Sequence, residues 1–200
     1  MHVGSRAGQM TDHRSGEDFQ RPVPPLCVDL DGTLISGDLL TGVGKLLIKR
    51  NFLNGLIISF WFLRGSAVLR RKFAQRFIPN PASLTYDRDV IRWLTLERSS
   101  GRALWLCSAL HEPIVASVAA HLGLFEGVLA SKRDEDLTGI AMAERLVEKF
   151  GRRGFDYCAN VGRDAVIWKY ARSAIAIHGG SRLEQDGMRY ADILRSVRAE

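Results

Sequence analysis

Short apolar runs alternate with amphipathic segments along most of the chain. Runs rich in Val, Leu, Ile, Cys and Ala predict five β-strands, over residues 26–30, 103–108, 127–131, 157–161 and 174–178. Helical periodicity follows the second, third and fourth runs, over residues 112–122, 141–150 and 165–172. Strands and helices in this alternation predict an α/β fold, in which right-handed crossovers build a parallel sheet covered on both faces.

Polar residues stand where several of these strands end. Asp29 and Asp31 close the first strand, Ser108 closes the second, and residues 160–164 follow the fourth. Because ligands bind beyond the carboxyl ends of parallel strands, these residues are expected to converge on one crevice. Two carboxylates this close repel each other unless a cation or a shared proton lies between them. The pattern therefore indicates either a binding site or an acidic loop.

The first and second predicted strands are about seventy residues apart, too far for a plain crossover. Residues 36–95 are mostly helical in pattern and are interpreted as an inserted helical cap above the crevice. The core would then comprise residues 25–35 and 96–180. Residues 1–24 are polar and lack the apolar region of a signal peptide, which predicts a disordered tail. Residues 181–200 are predicted to form a C-terminal helical extension.

Composition places the chain among ordinary globular proteins. It has 200 residues, of which 46% are hydrophobic and 25% charged, enough for a substantial core. Its three cysteines, Cys27, Cys107 and Cys158, all fall in predicted strands. This placement favours packed, reduced thiols over a disulfide framework and predicts a cytoplasmic protein.

The net charge of +6 comes from one stretch. Residues 39–86 hold no Asp or Glu but eight basic residues, and they include the apolar segment NFLNGLIISFWFL at 51–63. A helix of a dozen residues is about 18 Å long, too short for a hydrocarbon core of about 30 Å. Two interpretations stay open: an interfacial anchor on an anionic membrane surface at the inner face of the membrane, or a cap helix buried against its neighbours or in a dimer. No nucleic-acid partner is expected, because the basic residues interleave with aliphatic ones.

Three motifs resemble those of the haloacid dehalogenase-like (HAD) phosphatase superfamily. They are DLDGT at 29–33, LWLCS at 104–108 and the late FDY at 155–157, and the resemblance covers residues 25–180. More narrowly, PLCVDLDGTL, LTGIAMAERLVEKFG and GFDY are similar to the HAD domain associated with UbiA-type polyprenyl transferases. The resemblance implies an HAD-like Rossmannoid core, with a five-stranded parallel sheet in the order 5-4-1-2-3 and an inserted helical cap.

The resemblance also implies phosphoryl transfer through an aspartyl-phosphate, supported by Mg²⁺. Asp29 would attack phosphorus, Asp31 would act as acid and base, and the Ser108 hydroxyl would bind a phosphoryl oxygen. The implied phosphate-binding residues are Gly32, Thr33, Ser108, Ala109 and Lys132. The implied Mg²⁺ ligands are Asp29, Asp31, Asn160 and Asp164.

Two positions depart from the family pattern. Met142 stands where the family places its third-motif lysine, and Asn160 stands where it places an aspartate, while Asp164 is kept. The two changes have opposite sign and leave the formal charge of the site unchanged, but a thioether does not neutralise a transferring phosphate. Losing one preorganised charge typically costs on the order of 10² to 10³ in rate. Lys132 and Arg163 are the candidate substitutes for the missing lysine.

The sequence therefore predicts an Mg²⁺-dependent phosphohydrolase with a weakened site, acting on a phosphorylated small molecule or a lipid-linked sugar phosphate. The alternative is a catalytically degenerate HAD-like partner or docking domain of a UbiA-type membrane prenyl transferase. A third interpretation is a phosphate- or nucleotide-binding module that performs no chemistry.

Overall fold

The computed structural model describes residues 23–35, 60, 63, 78–160, 165–177 and 193–197. Its strands are β1 Leu26–Asp29, β2 Leu104–His111, β3 Gly127–Ser131, β4 Asp156–Asn160, β5 Ser173–Ile177 and β6 Ile193–Val197. Its helices are α1 Arg88–Ser99, α2 Glu112–Leu122, α3 Ile140–Phe150 and α4 Ala165–Trp168, with a short 3-10 turn at Pro81–Ser83.

All six strands are parallel and form one sheet in the order β3-β2-β1-β4-β5-β6. The first five strands have the order that was predicted, read from the other edge, so the predicted Rossmannoid core is confirmed. Their carboxyl ends lie along one edge, where the polar residues were expected to meet.

The sixth strand corrects one prediction. Residues 193–197 pair with β5 from Ser173↔Ile193 to Ile177↔Val197, whereas this region was expected to be part of a helical extension. Its sequence, ILRSV, mixes good helix formers with β-branched residues, so local propensity alone decides little. The backbone groups along β5 supply the ladder hydrogen bonds that make the strand favourable.

Alternating side chains divide the core into two layers. Leu26 and Val28 of β1 pack on one face of the sheet with residues of α1 and α2, whereas Cys27 packs on the other with residues of α3 and α4. All four residues of β1 are buried. A central parallel strand needs apolar residues on both faces, which explains why β1 is a continuous apolar run as far as Asp29.

The core takes up more of the chain before β2 than the sequence indicated. Ile35 forms a bridge with Tyr86, and the Asp87 N–H donates a hydrogen bond to the carbonyl oxygen of Leu34 (3.0 Å). Residues on the two sides of the predicted cap are thus paired with each other beside the core. Helix α1 follows, and its Val90 and Leu94 are buried in the core, so the boundary expected between residues 95 and 96 falls inside this helix. Most of the predicted cap, most of segment 51–63 and residues 1–22 lie outside the described residues.

A partly buried ion cluster lies at the amino end of the sheet, opposite the crevice. Asp156 accepts hydrogen bonds from Arg172 Nε (2.9 Å) and Nη2 (2.7 Å) and pairs with Arg102, which also contacts Glu97 (2.8 Å) and the carbonyl oxygen of Pro24 (3.1 Å). Burial acts to raise the pKa of Asp156, but the Arg172 hydrogen bond and the charges of both arginines hold that pKa below its usual value. The cluster joins the segment before β1 to β4 and is part of the fold rather than of the crevice.

Candidate functional site

A cavity of about 190 Å³ opens at the carboxyl ends of β1 and β2, and Tyr157 of β4 also lines it. Its polar lining comes from the ends of β1 and β2 and from the loop before α3. Its apolar lining comes from that loop and from α3, β4 and α4. The lining residues are Asp29, Asp31, Ser108, Ala109, Leu137, Thr138, Gly139, Met142, Tyr157 and Ile167. The structure therefore brings together the predicted Asp29, Asp31, Ser108 and Ala109.

A tight turn after β1 presents the two aspartates. The N–H groups of Leu34 and Ile35 both donate to the carbonyl oxygen of Leu30 (3.1 and 3.0 Å), and the Gly32 N–H donates to the carbonyl oxygen of Ile35 (3.0 Å). Gly32 has φ +76°, in the left-handed region that favours glycine. A Cβ there would lie 3.6 Å from Asn160 Nδ2, an ordinary contact, so conformation rather than space requires the glycine.

Thr33 fixes the orientation of Asp29. Its Oγ1 donates a hydrogen bond to Asp29 Oδ2 (3.1 Å) and accepts one from the backbone N–H of Asn160 (2.7 Å). Because the amide occupies a lone pair of the hydroxyl, the Thr33 proton is directed at the carboxylate. Thr33 is buried, and neither it nor Gly32 lines the cavity. Thr33 thus orients Asp29, whereas direct contact of Thr33 and Gly32 with phosphate stays a prediction.

The carboxyl end of β2 supplies Ser108. This residue is buried, and its Oγ accepts a hydrogen bond from the Leu110 N–H (3.1 Å). The hydroxyl hydrogen is consequently directed away from the Leu110 amide and can be donated to an acceptor in the cavity. A serine in this state suits the predicted contact with a phosphoryl oxygen.

Met142 lies in the first turn of α3 and lines the cavity with Asp29 and Asp31. It is 2% exposed and packs with Leu137, Tyr157 and Ile167. Among the described lining residues, the only charged side chains are the two aspartates. The thioether places no positive charge beside them.

The other predicted site residues lie around the cavity or outside the described residues. Asn160 is the last residue of β4 and adjoins the β1 turn through its N–H and amide. Lys132 does not line the cavity; its Nζ lies 3.7 Å from Glu112 Oε1, and its side chain is 54% exposed. The structure thus gives no support to a phosphate contact by Lys132. Asp164 and Arg163 lie outside the described residues.

Oxygen donors at this edge suit a hard cation. Carboxylate, amide and backbone carbonyl oxygens are the ligands that Mg²⁺ prefers, and Asp29, Asp31 and Asn160 present them at neighbouring strand ends. Within the described part of the chain, no group of three or more His, Cys, Asp or Glu side chains is arranged to hold a metal ion. The residues present therefore fit Mg²⁺ through a mixed set of oxygen donors rather than through carboxylates alone.

The three cysteines are buried, as the sequence predicted. Burial and the nearby charge of Asp29 raise the pKa of the Cys158 thiol, which stays protonated at neutral pH. A buried, protonated thiol is a poor nucleophile, so Cys158 belongs to the packing of the site and not to its chemistry.

Known proteins similar to this chain include a curated sequence and several solved structures. No family model matches the sequence. A curated relative, the uncharacterized protein y4nM of Sinorhizobium fredii (strain NBRC 101917 / NGR234), is 29% identical over 175 residues. The match covers 83% of this chain, which spans about a third of that relative's length (32%).

Solved structures give the clearer comparison. An HAD family hydrolase from Salmonella enterica has TM-score 0.60 and 13% identity, covering 87% of this chain and 68% of its own. A substrate-bound phosphoserine phosphatase has TM-score 0.57 and 14% identity, covering 88% and 93%. A protein of unknown function from Bordetella pertussis Tohama I has TM-score 0.60 and 14% identity, covering 87% and 99%. The fold is therefore that of the HAD hydrolases, with a polar cavity at the strand ends.

Proposed function

We propose that this chain is an HAD-type phosphohydrolase with a weakened site. The observation that supports this most strongly is the meeting of Asp29, Asp31 and the Ser108 hydroxyl in one cavity, with Asp29 held by Thr33. An HAD-like fold alone would not indicate activity, because folds host many functions.

The proposed reaction has two steps. A carboxylate oxygen of Asp29 attacks phosphorus, and the bond from phosphorus to the leaving oxygen breaks as Asp31 protonates that oxygen. Asp31, now a carboxylate, then takes a proton from water as the water oxygen attacks the aspartyl-phosphate. Inorganic phosphate leaves, Asp29 is restored as a carboxylate and Asp31 is protonated again.

Two hydroxyl groups and a set of Mg²⁺ ligands assist these steps. The Thr33 hydrogen bond to Asp29 Oδ2 fixes the rotation of the carboxylate, so that its other oxygen is the proposed nucleophile. The Ser108 hydroxyl donates to a phosphoryl oxygen. Asp29, the backbone carbonyl of Asp31, Asn160 and Asp164 would hold Mg²⁺, which when bound would offset the negative charge of the phosphoryl oxygens and Asp29.

The substrate class and the location of the reaction are part of the proposal. We propose a phosphorylated small molecule or a lipid-linked sugar phosphate, handled by a cytoplasmic protein peripheral to an anionic membrane surface. The basic composition of residues 39–86 supports this, as do Phe60 and Leu63, which are three residues apart and 52% and 84% exposed. In the described part of the chain, no helix is both long enough and apolar enough to cross a bilayer.

Phosphate release from a panel of phosphoesters in the presence of Mg²⁺ tests the function. Removing the nucleophile in Asp29→Asn should lower the rate by on the order of 10³ or more. Asp134→Asn, an equivalent change in an exposed loop, should leave the rate unchanged and is the matched control. Equal rates for wild type and Asp29→Asn would reject the proposal.

A second function is favoured by Met142. A cavity with a thioether in place of a cation suits a degenerate domain that docks on a membrane prenyl transferase of the UbiA type, to which the narrower resemblance points. In that role the wild type would show no turnover above the Asp29→Asn background, and it would co-purify with a co-expressed transferase. Turnover at ordinary phosphatase rates would reject this second function.

A further inference from the structure

Ser131 ends β3 near the cavity, and the proposed mechanism gives it no role. It is 7% exposed, and its Oγ donates a hydrogen bond to the carbonyl oxygen of Ala109 (2.8 Å). The same oxygen accepts a hydrogen bond from the Leu137 N–H (2.9 Å). Asp136 Oδ1 lies farther away, at 3.5 Å, so the single hydroxyl hydrogen is assigned to Ala109.

This contact lies at a break in the regular ladder between β2 and β3. Ser108 pairs with Ala130 and His111 pairs with Ser131, so β2 advances by three residues where β3 advances by one. The two additional residues, Ala109 and Leu110, leave the regular ladder. The Ser131 hydroxyl donates its hydrogen bond to the Ala109 carbonyl at this bulge.

The peptide unit between Ala109 and Leu110 links Ser131 to Ser108. Its carbonyl oxygen accepts from Ser131, and its N–H donates to Ser108 Oγ (3.1 Å). In a trans peptide these two groups point in opposite directions in one plane, so fixing the carbonyl also fixes the amide. Ser131 and Ser108 are therefore linked through one peptide plane, with no direct hydrogen bond between the two side chains.

We propose that Ser131 is a positioning residue, which sets the Ser108 hydroxyl for the phosphoryl group through the Ala109–Leu110 peptide plane. This inference rests on the proposed phosphate-binding role of Ser108. Ser131 also holds the Leu137 amide, and Leu137, Thr138 and Gly139 line the cavity. One hydroxyl thereby fixes two parts of the cavity lining relative to each other.

Binding of inorganic phosphate in the presence of Mg²⁺, measured by calorimetry on the full chain, tests the inference. Ser108→Ala should weaken binding by about 10- to 100-fold, because it removes a hydrogen bond to a charged group. Ser131→Ala should weaken it about three- to tenfold, and Ser131→Thr, which keeps the hydroxyl, should restore it. In the Ser108→Ala background, Ser131→Ala should have a much smaller effect. An equal effect in both backgrounds would overturn the proposal, as would wild-type affinity in folded Ser131→Ala.

A control variant separates positioning from general destabilisation. Ser117→Ala removes a comparable hydroxyl-to-carbonyl bond, from Ser117 Oγ to Ile114 (2.7 Å), in helix α2 away from the cavity, and should not change phosphate affinity. If Ser131→Ala does not fold, Ser131→Cys keeps the size of the side chain with a weaker donor and should also lose affinity. A folded Ser131→Cys that binds phosphate as tightly as the wild type would then refute the inference.

The Leu110 amide gives a measurement that needs no ligand. In Ser131→Ala its NMR signal should shift and its hydrogen exchange should become faster, while Ser117→Ala leaves both unchanged. An unchanged Leu110 amide in Ser131→Ala would overturn the positioning role by itself. Absence of phosphate binding by the wild type would instead reject the proposed function, and the Leu110 signal would still decide whether the peptide plane depends on Ser131.

Discussion

Replacing Met142 by lysine would introduce a positive charge into a cavity that Asp29 and Asp31 also line. The two side chains have similar length, and Met142 is buried in the first turn of α3, so the ammonium would be held near the carboxylates rather than in bulk water. We therefore expect Met142→Lys to raise the rate of phosphate release.

The magnitude follows from two opposing contributions. Burying a methionine side chain contributes about 1.5–3 kcal/mol, part of which lysine would lose. Desolvating an ammonium at this buried position adds a cost of several kcal/mol, and an attraction of about 4 kcal/mol to each carboxylate at about 4 Å, with an effective dielectric constant of about 20, offsets these losses. The stability of the variant should thus stay within about 2 kcal/mol of the wild type, a shift in Tm of roughly 4–8 °C for a chain of this size. A preorganised charge that stabilises the transition state should raise the rate by on the order of 10² to 10³.

The assay compares kcat/KM for the best phosphoester in the panel, with Mg²⁺, in three variants. Met142→Gln matches the length and polarity of lysine without its charge and should not exceed the wild-type rate. Asn160→Asp combined with Met142→Lys reverses both departures from the family pattern and should give the highest rate. Thermal unfolding of each variant excludes misfolding as the cause of a low rate.

A folded Met142→Lys that is no faster than Met142→Gln would refute the reasoning, because a correctly placed charge would then have no effect on the reaction. Substantial activity in the wild type, with little gain in Met142→Lys, would show instead that another cation already serves the site.

Three further predictions concern residues around the site and the ion cluster. Asp156→Asn should lower the free energy of unfolding by about 3 kcal/mol at pH 7, because it removes the partner of two arginines. Since the folded-state pKa of Asp156 is lowered, this contribution is present above the unfolded-state pKa near 4 and is lost as the pH falls through the folded-state pKa. In urea unfolding, the difference in stability between wild type and Asp156→Asn should therefore be smaller at pH 3 than at pH 7. Thr33→Val should reduce the rate of phosphate release by on the order of tenfold or more, while Thr33→Ser should not. Equal rates for Thr33→Val and the wild type would show that Asp29 needs no orienting hydroxyl. Gly32→Ala should cost about 1–2 kcal/mol at φ +76°, measured by thermal unfolding, and an unchanged Tm would contradict the need for glycine there.

The parts of the fold that were predictable are those in which local sequence and burial agree. A strand covered on both faces must be apolar along its length, so β1 and its parallel neighbours appear as short apolar runs. The same logic placed Asp29, Asp31 and Ser108 at one edge, since parallel strands end together. The resemblance added the strand order, which no periodicity supplies.

The parts that were missed depend on contacts between distant segments. β6 forms because β5 offers backbone hydrogen bonds to residues 193–197, and nothing within ILRSV indicates such a neighbour. Helix α1 was assigned largely to the cap because its sequence is helical either way, and only the packing of Val90 and Leu94 shows that it covers the core.

Ser131 shows the limit of predicting functional residues from polar side chains at strand ends. Such a prediction would include Ser131, because it is the last residue of β3 and lies at the same edge of the sheet as Ser108. Its proposed role, however, depends on the bulge at Ala109 and Leu110, where one peptide plane contacts both serines. The sequence SALH, from Ser108 to His111, gives no indication of a bulge. A strand-end polar residue can therefore be found from sequence, but whether it touches a ligand or holds the residue that does is decided by the register of the neighbouring strand.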